Sequence, residues 1–396
     1  MTGTEQSRLS LALIRQRYTP FGGAERFLER AMSALQAQGV AITLIARRWE
    51  GEEGQGIARV RCDPWHLGRW WRDAAFARCV QRLLTPRRYD LVQSHERIPG
   101  CDLYRAGDGV HAEWLAQRGR AQGAIGRGLM ALNPYHRHVL AMERRLFEHP
   151  GLKAVICNSR MVRDEILGRF RIAPDKLKVI YSGVDLERFH PDQKMRHRAV
   201  MRAQWGMTED ELLFLFVGSG FRRKGLPALL TALSGMRHPA RLVVVGRDKE
   251  QNRMRSLARH LGIAARVMFV GGCREVIPYY AAADAVVLPT LYDPFPNVAL
   301  EAMAMGLPLV TSLKCGAVDW IRHGENGLLA DALDREALTC NLERLEDPIL
   351  RAALGVAARS TVLPVSLEAM SMQLLELYRE LLGREHDGSS PETQSG

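Results

Sequence analysis

Apolar runs that do not alternate with polar residues recur along this chain, each followed by a stretch of helical character. Residues 212–217 (Leu-Leu-Phe-Leu-Phe-Val) are the clearest, and lead into Gly218-Ser219-Gly220 and a helix from about Leu226. Residues 241–245, 267–270, 285–288 and 307–310 repeat the pattern. A strand with one wet face alternates, whereas a strand covered on both faces reads as continuous apolar sequence. The first half follows the same scheme. A strand at 9–14, a loop with Gly22-Gly23, an amphipathic helix to about Gln38, Gly39 as its stop and a strand at 40–46 form one β-α-β unit. Short buried strands follow at 89–93, 154–157 and 178–180. Strands alternating with helices give parallel sheets with helices on both faces. The expected fold class is therefore α/β, with two Rossmann-like, doubly wound domains and a cleft between them.

The break is placed at residues 186–208, where His190-Pro191-Asp192 precedes an arginine-rich stretch. This gives an N-terminal domain over 1–190 and a C-terminal domain over 191–364. Leu367, Met370, Leu374, Tyr378 and Leu381 then lie on one stripe of a helix over 365–382. That helix is expected to pack back on the first domain, and the polar residues 384–396 are expected to be disordered.

Charge separates the two halves. Residues 1–190 hold 31 Lys and Arg against 20 Asp and Glu, whereas 191–396 hold 24 of each, so the net +11 lies wholly in the first half. A basic half faces an acidic partner: nucleic acid, membrane or a phosphorylated glycan. The seven cysteines form no C-x-x-C pair, which predicts scattered thiols in a reducing compartment. No apolar run reaches the roughly 18–20 residues of a membrane span, and the first residues lack a signal-peptide layout. The expected location is cytoplasmic.

Two segments carry the chemistry. In Val217-Gly218-Ser219-Gly220-Phe221-Arg222-Arg223-Lys224-Gly225 a buried strand ends, small residues turn the chain, and cations precede a helix. Backbone N–H groups and the helix dipole favour an anion there. The segment is not a dinucleotide fingerprint, which would need Gly at position 223, and it is not a P-loop. The second segment, Tyr292-Asp293-Pro294-Phe295-Pro296-Asn297-Val298-Ala299-Leu300-Glu301, follows the strand at 285–288 and enters a helix. Carboxylates suit sugar and ribose hydroxyls, because each accepts more than one hydrogen bond, and ligands bind beyond the carboxyl ends of such strands.

In this order the two segments resemble the retaining, two-Rossmann (GT-B) glycosyltransferases of family 4, in which an Arg/Lys pair grips the nucleotide diphosphate and a Glu-x7-Glu motif binds the donor. Phe21-Gly22-Gly23-Ala24-Glu25 resembles the family's first glycine loop, Tyr181-Ser182-Gly183-Val184-Asp185 the end of its first domain, and Gly324-Glu325-Asn326-Gly327 its late turn. Ile98-Pro99-Gly100-Cys101-Asp102-Leu103-Tyr104 with Asp108 is similar to the bacterial lipopolysaccharide core enzymes that glucosylate inner-core heptose.

The resemblance implies a hexose, glucose first among the candidates, moved from a UDP-sugar to a phosphorylated glycolipid with retention of configuration. It implies that Arg223 and Lys224 stabilise the departing diphosphate, Glu301 holds the ribose and Asp293 the donor sugar. Gly22, Gly23 and Gly218 would let backbone approach the diphosphate, Arg274 would open a helix beside the uracil, and Asn297 and Val298 would offer helix N–H groups. Asp108 is the acceptor-side candidate, with His95 and His111 behind it. Asp293 stands where the family has Glu, shorter by about 1.5 Å, which leaves the donor sugar open between glucose, galactose, N-acetylglucosamine and GDP-mannose. The absence of Asp-x-Asp predicts catalysis without a metal or other cofactor. Pro64-Trp65-His66-Leu67-Gly68-Arg69-Trp70-Trp71-Arg72, with Arg118, Arg120 and Arg127, has the composition of an interface segment. It predicts peripheral attachment to the cytoplasmic face of an anionic inner membrane, with packing of the Trp residues inside the domain as the rival. A nucleic-acid binder shares the +11 but needs a module not seen here, and an epimerase of UDP-sugars would act without an acceptor.

Overall fold

The computed structural model describes residues 9–18, 32, 36, 39–49, 57–85 and 88–387. Two parallel sheets are present. The first has seven strands: β1 (Ser10–Tyr18), β2 (Ala41–Trp49), β3 (Ile57–Arg61), β4 (Leu91–Ser94), β5 (Leu103–Arg105), β6 (Ala154–Cys157) and β7 (Leu177–Val179). Their order is β3-β2-β1-β4-β5-β6-β7, so the chain reverses its direction of winding between β1 and β4. The second has six: β8 (Leu213–Val217), β9 (Arg241–Val245), β10 (Val267–Gly271), β11 (Ala285–Leu288), β12 (Leu309–Ser312) and β13 (Leu328–Ala330), in the order β10-β9-β8-β11-β12-β13. Here the reversal falls between β8 and β11. The expected doubly wound α/β architecture is present twice.

Helices α1 (Gly68–Leu83), α2 (His111–Leu132), α3 (Pro134–Phe147) and α4 (Arg160–Arg169) follow in the first half. The core on one face of the first sheet joins Ile14, Val92 and Val155 to Phe76 and Val80 of α1, Leu146 and Phe147 of α3 and Ile166 of α4. The second half carries α5 (Gln193–Gln204), α6 (Leu226–Gly235), α7 (Gln251–His260), α8 (Ile277–Ala282), α9 (Asn297–Ala304), α10 (Arg335–Arg344), α11 (Pro348–Val362) and α12 (Leu367–Asp387). Leu229 and Leu233 of α6 and Met254 of α7 pack on one face of the second sheet, with Tyr280 of α8, Leu300 of α9 and Ala358 of α11 on the other. Met370, Leu374, Leu377, Tyr378 and Leu381 of α12 join Leu11, Leu13, Ile42 and Leu44 on the other face of the first sheet. The last helix is therefore part of the first sheet's core.

The chain crosses between the sheets twice, and the crossings touch. Val184 N–H donates to the Val365 carbonyl at 3.0 Å, and Val184 bridges Ser366. A Cβ on Gly183 would lie 2.5 Å from the Ser366 oxygen, so only glycine allows this approach.

Three expectations need correction. The strands at 57–61, 103–105 and 328–330 were not legible. The first is a half-buried strand with arginine on alternate positions, and the other two are three residues long, too short to show any period. Helix α12 runs to Asp387, past the end expected for it at residue 382. The cysteines are not all scattered thiols. Cys62, just after β3, is bonded to Cys79 of α1, with 6.3 Å between their Cα atoms. Folding brings together two residues 17 apart in sequence, and the reducing compartment inferred from scattered thiols loses that support. Among the described residues no helix is long and apolar enough to cross a membrane.

Candidate functional site

The turn after β8 is built on an internal anion. Asp248, beyond β9, accepts from Gly220 N–H at 2.7 Å and from Phe221 N–H at 3.0 Å through one carboxylate oxygen. Its other oxygen accepts from Glu250 N–H at 2.7 Å. These loop N–H groups were expected to meet a ligand, and a side chain of the protein already satisfies them. Asp248 is a residue that sequence reasoning missed, because nothing in its local pattern reveals that its carboxylate reaches back 28 positions. With the loop held in this way, Lys224 N–H bonds the Gly220 carbonyl and Leu226 N–H the Phe221 carbonyl. Gly218, at φ 142°, lies under the Lys224 side chain, and a Cβ there would come within 2.6 Å of Lys224 Cδ.

The two chemical segments meet. Lys224 Nζ lies 3.2 Å from Asp293 Oδ2, and Arg223 Nη1 lies 3.3 Å from the same oxygen. Arg223 also donates to the Tyr292 carbonyl at 3.3 Å, while its own carbonyl accepts from Leu291 N–H and Thr290 Oγ1. Lys224 and Asp293 are buried, whereas Arg223 is 38% exposed and can reach outward. Both cations meet Oδ2. The backbone of Asp293 is fixed on both sides, its N–H to the Lys314 carbonyl at 3.0 Å and its carbonyl to Gly316 N–H at 2.8 Å.

Glu301 is buried in α9 and accepts from Tyr280 Oη of α8 at 2.8 Å. Tyr280 is a second residue the sequence did not single out. Asn297 and Val298 form the first turn of α9 after Pro296. Arg274 does not open a helix. It lies in the exposed loop before α8, whose first residue is Ile277. Gly22 and Gly23 lie outside the described residues.

On the side of the first sheet, Asp108 is largely exposed, with Arg97 Nη1 at 3.8 Å. Arg97 is anchored by Glu143 at 2.9 Å and donates to the Gly109 carbonyl at 3.2 Å. The two histidines are placed differently. His95 is buried against Gln93, whose carbonyl oxygen accepts from Tyr378 Oη of α12, so it joins a core network. Burial, with Arg105 and Arg15 nearby, keeps its ring neutral. His111 opens α2, where its ring lies 3.0 Å from that of His136 and its N–H donates to Glu143. Burial and the Arg97 charge depress its pKa to about 3, so it is neutral across the physiological range.

Tyr292 joins the two halves. Its hydroxyl accepts from Val110 N–H at 2.8 Å and donates to Glu165 Oε2 at 2.7 Å. Tyr292 precedes Asp293, and Val110 follows Asp108 by two residues, so one hydroxyl fixes the spacing of the two acidic loops. Lys314 adds ion pairs to Glu113 and Glu165 at 3.3 and 3.1 Å. Burial opposes the charge on Lys314, yet the two carboxylates raise its pKa. Tyr292→Phe leaves a buried N–H and a carboxyl without this partner, at about 1–3 kcal/mol. The expected result is a lowered melting temperature and a kcat reduced about tenfold, a loosening equivalent to roughly 1.4 kcal/mol. A variant with wild-type kcat would show that the two loops are positioned independently.

Comparison with known proteins gives the family. The Glycosyltransferase Family 4 model matches residues 21–188, and the Glycosyl transferases group 1 model matches residues 197–361. The lipopolysaccharide glucosyltransferase WaaG of Escherichia coli K12 is 30% identical over 350 residues, covering 87% of this chain and 91% of that protein. The lipopolysaccharide core biosynthesis glycosyltransferase LpsE of Rhizobium meliloti is 26% identical, with 90% and 95% covered. A crystal structure of WaaG superposes with a TM-score of 0.81 at 28% identity, covering 93% of this chain and 99% of that one. The chain belongs to the GT-B glycosyltransferases of the group 1 and family 4 type, related to enzymes of lipopolysaccharide core synthesis.

Proposed function

We propose that the protein moves glucose from UDP-glucose to the inner core of lipopolysaccharide on lipid A, with retention and without a metal. The convergence of Lys224 and Arg223 on Asp293 carries this reading. Two cations and one carboxylate stand together beyond the end of a sheet, which supports a leaving diphosphate held by the cations with the hexose beside the carboxylate. As the glycosidic bond lengthens, negative charge grows on the diphosphate and these fixed cations stabilise it without reorganisation. The acceptor hydroxyl attacks from the face the diphosphate leaves, and a diphosphate oxygen takes its proton. Glu301, held by Tyr280, binds the ribose, and Asp108 orients the acceptor.

Thermal shift with UDP-glucose, UDP-galactose, UDP-N-acetylglucosamine and GDP-mannose tests the donor. A ligand at 100 times its Kd stabilises by about 2.7 kcal/mol, so UDP-glucose is expected to give the largest shift, and UDP release should require the core oligosaccharide. A larger shift with another donor would reassign the sugar to a related pathway such as capsule or O-antigen synthesis. Polynucleotide binding without any UDP-sugar response would reject the transferase reading.

Peripheral membrane attachment belongs to the same proposal. Trp65 and Trp70 are 73% and 51% exposed, with Leu67 and Arg69 exposed between them, so these rings are not core. Anionic lipid attracts each surface cation by about 1 kcal/mol. The protein is expected to sediment with phosphatidylglycerol-containing vesicles at low salt and to release as salt rises, with Trp65→Ser/Trp70→Ser released at lower salt. Sedimentation indifferent to lipid charge would remove this part of the proposal.

A further inference from the structure

A cavity of about 1320 Å³ opens beyond the carboxyl ends of β1, β2, β3 and β4, at the point where the first sheet reverses its winding. Open α/β sheets take their ligands at such reversals. Among the described residues its walls carry seven arginines against three carboxylates, Asp73, Glu96 and Asp108. One carboxylate behind the wall, Asp63, serves three of those arginines: Arg47 at 2.7 Å, Arg61 at 3.7 Å and Arg48 at 3.8 Å. Arg47 is buried, and it is locked further by His66 Nε2 at 3.2 Å. Arg48 and Arg61 are 72% and 66% exposed and meet Asp63 only at the edge of ion-pair distance. Three guanidinium groups on one carboxylate leave two positive charges for a ligand. Glu96 cancels only part of this near neutrality, since burial raises its pKa to about 7. Asp108 lines the same cavity, so an anion held here lies on the acceptor side.

We propose that this cavity is an acceptor subsite that binds an oxyanion substituent, phosphate or carboxylate, on the glycan to be extended. It rests on the acceptor class proposed above, and not on the donor or on the transfer step. Planar guanidinium forks match both anions by paired hydrogen bonds. Arg47, buried and preorganised, forms the floor, while Arg48 and Arg61 close over the anion.

The probe is deacylated lipopolysaccharide core oligosaccharide that lacks outer-core sugars, titrated calorimetrically into the full chain with UDP saturating. Parallel titrations use the same oligosaccharide after phosphatase treatment and after carboxyl reduction. Arg48→Ser/Arg61→Ser, both on the surface, is expected to weaken binding tenfold or more, as each charge-assisted hydrogen bond is worth about that factor. UDP affinity should not change, which also reports intact folding. Weakening by phosphatase treatment alone assigns the site to phosphate, and weakening by carboxyl reduction alone assigns it to an acidic sugar. The proposal is overturned if neither treatment weakens binding, if the variant binds as the wild type does, or if the untreated oligosaccharide fails to bind. Because no donor sugar is present, failure of the transfer reaction would appear separately, as absent turnover with oligosaccharide binding intact.

Discussion

Lys224→Met is expected to reduce sugar transfer by about 10²–10³-fold, the usual cost of losing one preorganised donor at a developing charge. The loss should appear in kcat and in affinity for free UDP rather than in affinity for the intact UDP-sugar, because the diphosphate carries its full extra charge only as the bond breaks. Stability should fall too. Asp293 is buried with Lys224 Nζ at 3.2 Å, and stripping one partner from a buried pair costs about 3–5 kcal/mol. Arg223 remains at 3.3 Å on the same oxygen, so the stability loss should sit at or below the low end of that range. A double-mutant cycle separates the two effects. Asp293→Asn added to Lys224→Met should recover part of the melting temperature, since the uncompensated charge is gone, while turnover falls further. Lys224→Met with wild-type kcat would show that the diphosphate is stabilised elsewhere.

Gly225→Ala is the other substitution with a large expected effect, and it adds a single methyl group. Gly225 has φ 79° and caps the start of α6, and a Cβ there would lie 1.8 Å from the Pro289 carbonyl oxygen. Left-handed backbone costs a non-glycine residue about 1–2 kcal/mol, and overpacking adds about 1–3 kcal/mol. Together they imply a destabilisation of about 2–5 kcal/mol. Pro289 follows β11 and begins the segment that leads to Asp293, so relief of the clash must part the two chemical loops. Turnover is expected to fall by at least tenfold in the molecules that remain folded. Wild-type melting and turnover together would mean that the turn has room the packing does not show. Gly262, also at positive φ but with nothing within 4 Å of its Cβ position, supplies the control. Alanine there should cost only the backbone part and leave turnover unchanged.

Most of the second sheet was legible because its strands are buried on both faces. A run such as Leu-Phe-Leu-Phe-Val over β8 has no alternative position than between two helix layers. The motifs were legible for a related reason: loops at strand ends collect small and charged residues that no core would accept. What failed to show were elements whose stabilisation is not local. Ile-Ala-Arg-Val-Arg of β3 looks like a polar loop and becomes a strand only because β2 offers it a ladder. Cys62 and Cys79 read as separate thiols until β3 and α1 pack together.

The sequence by itself determined the fold class, the two candidate segments and the half of the chain that carries the positive charge. Hydrophobic period, turn residues and net charge are properties of short windows, and short windows suffice to read them. Only the tertiary structure decided what each charged residue does. It paired Lys224 with Asp293 across 69 positions and set Arg223 on the same oxygen, gave the loop N–H groups to Asp248, and placed His95 in a core network with Gln93 and Tyr378. It also gathered arginines from four strand ends around one cavity, which turned a diffuse basic half into a defined place for an anion. Electrostatic interaction falls with distance through a medium set by burial, and neither distance nor burial is fixed until the chain has folded.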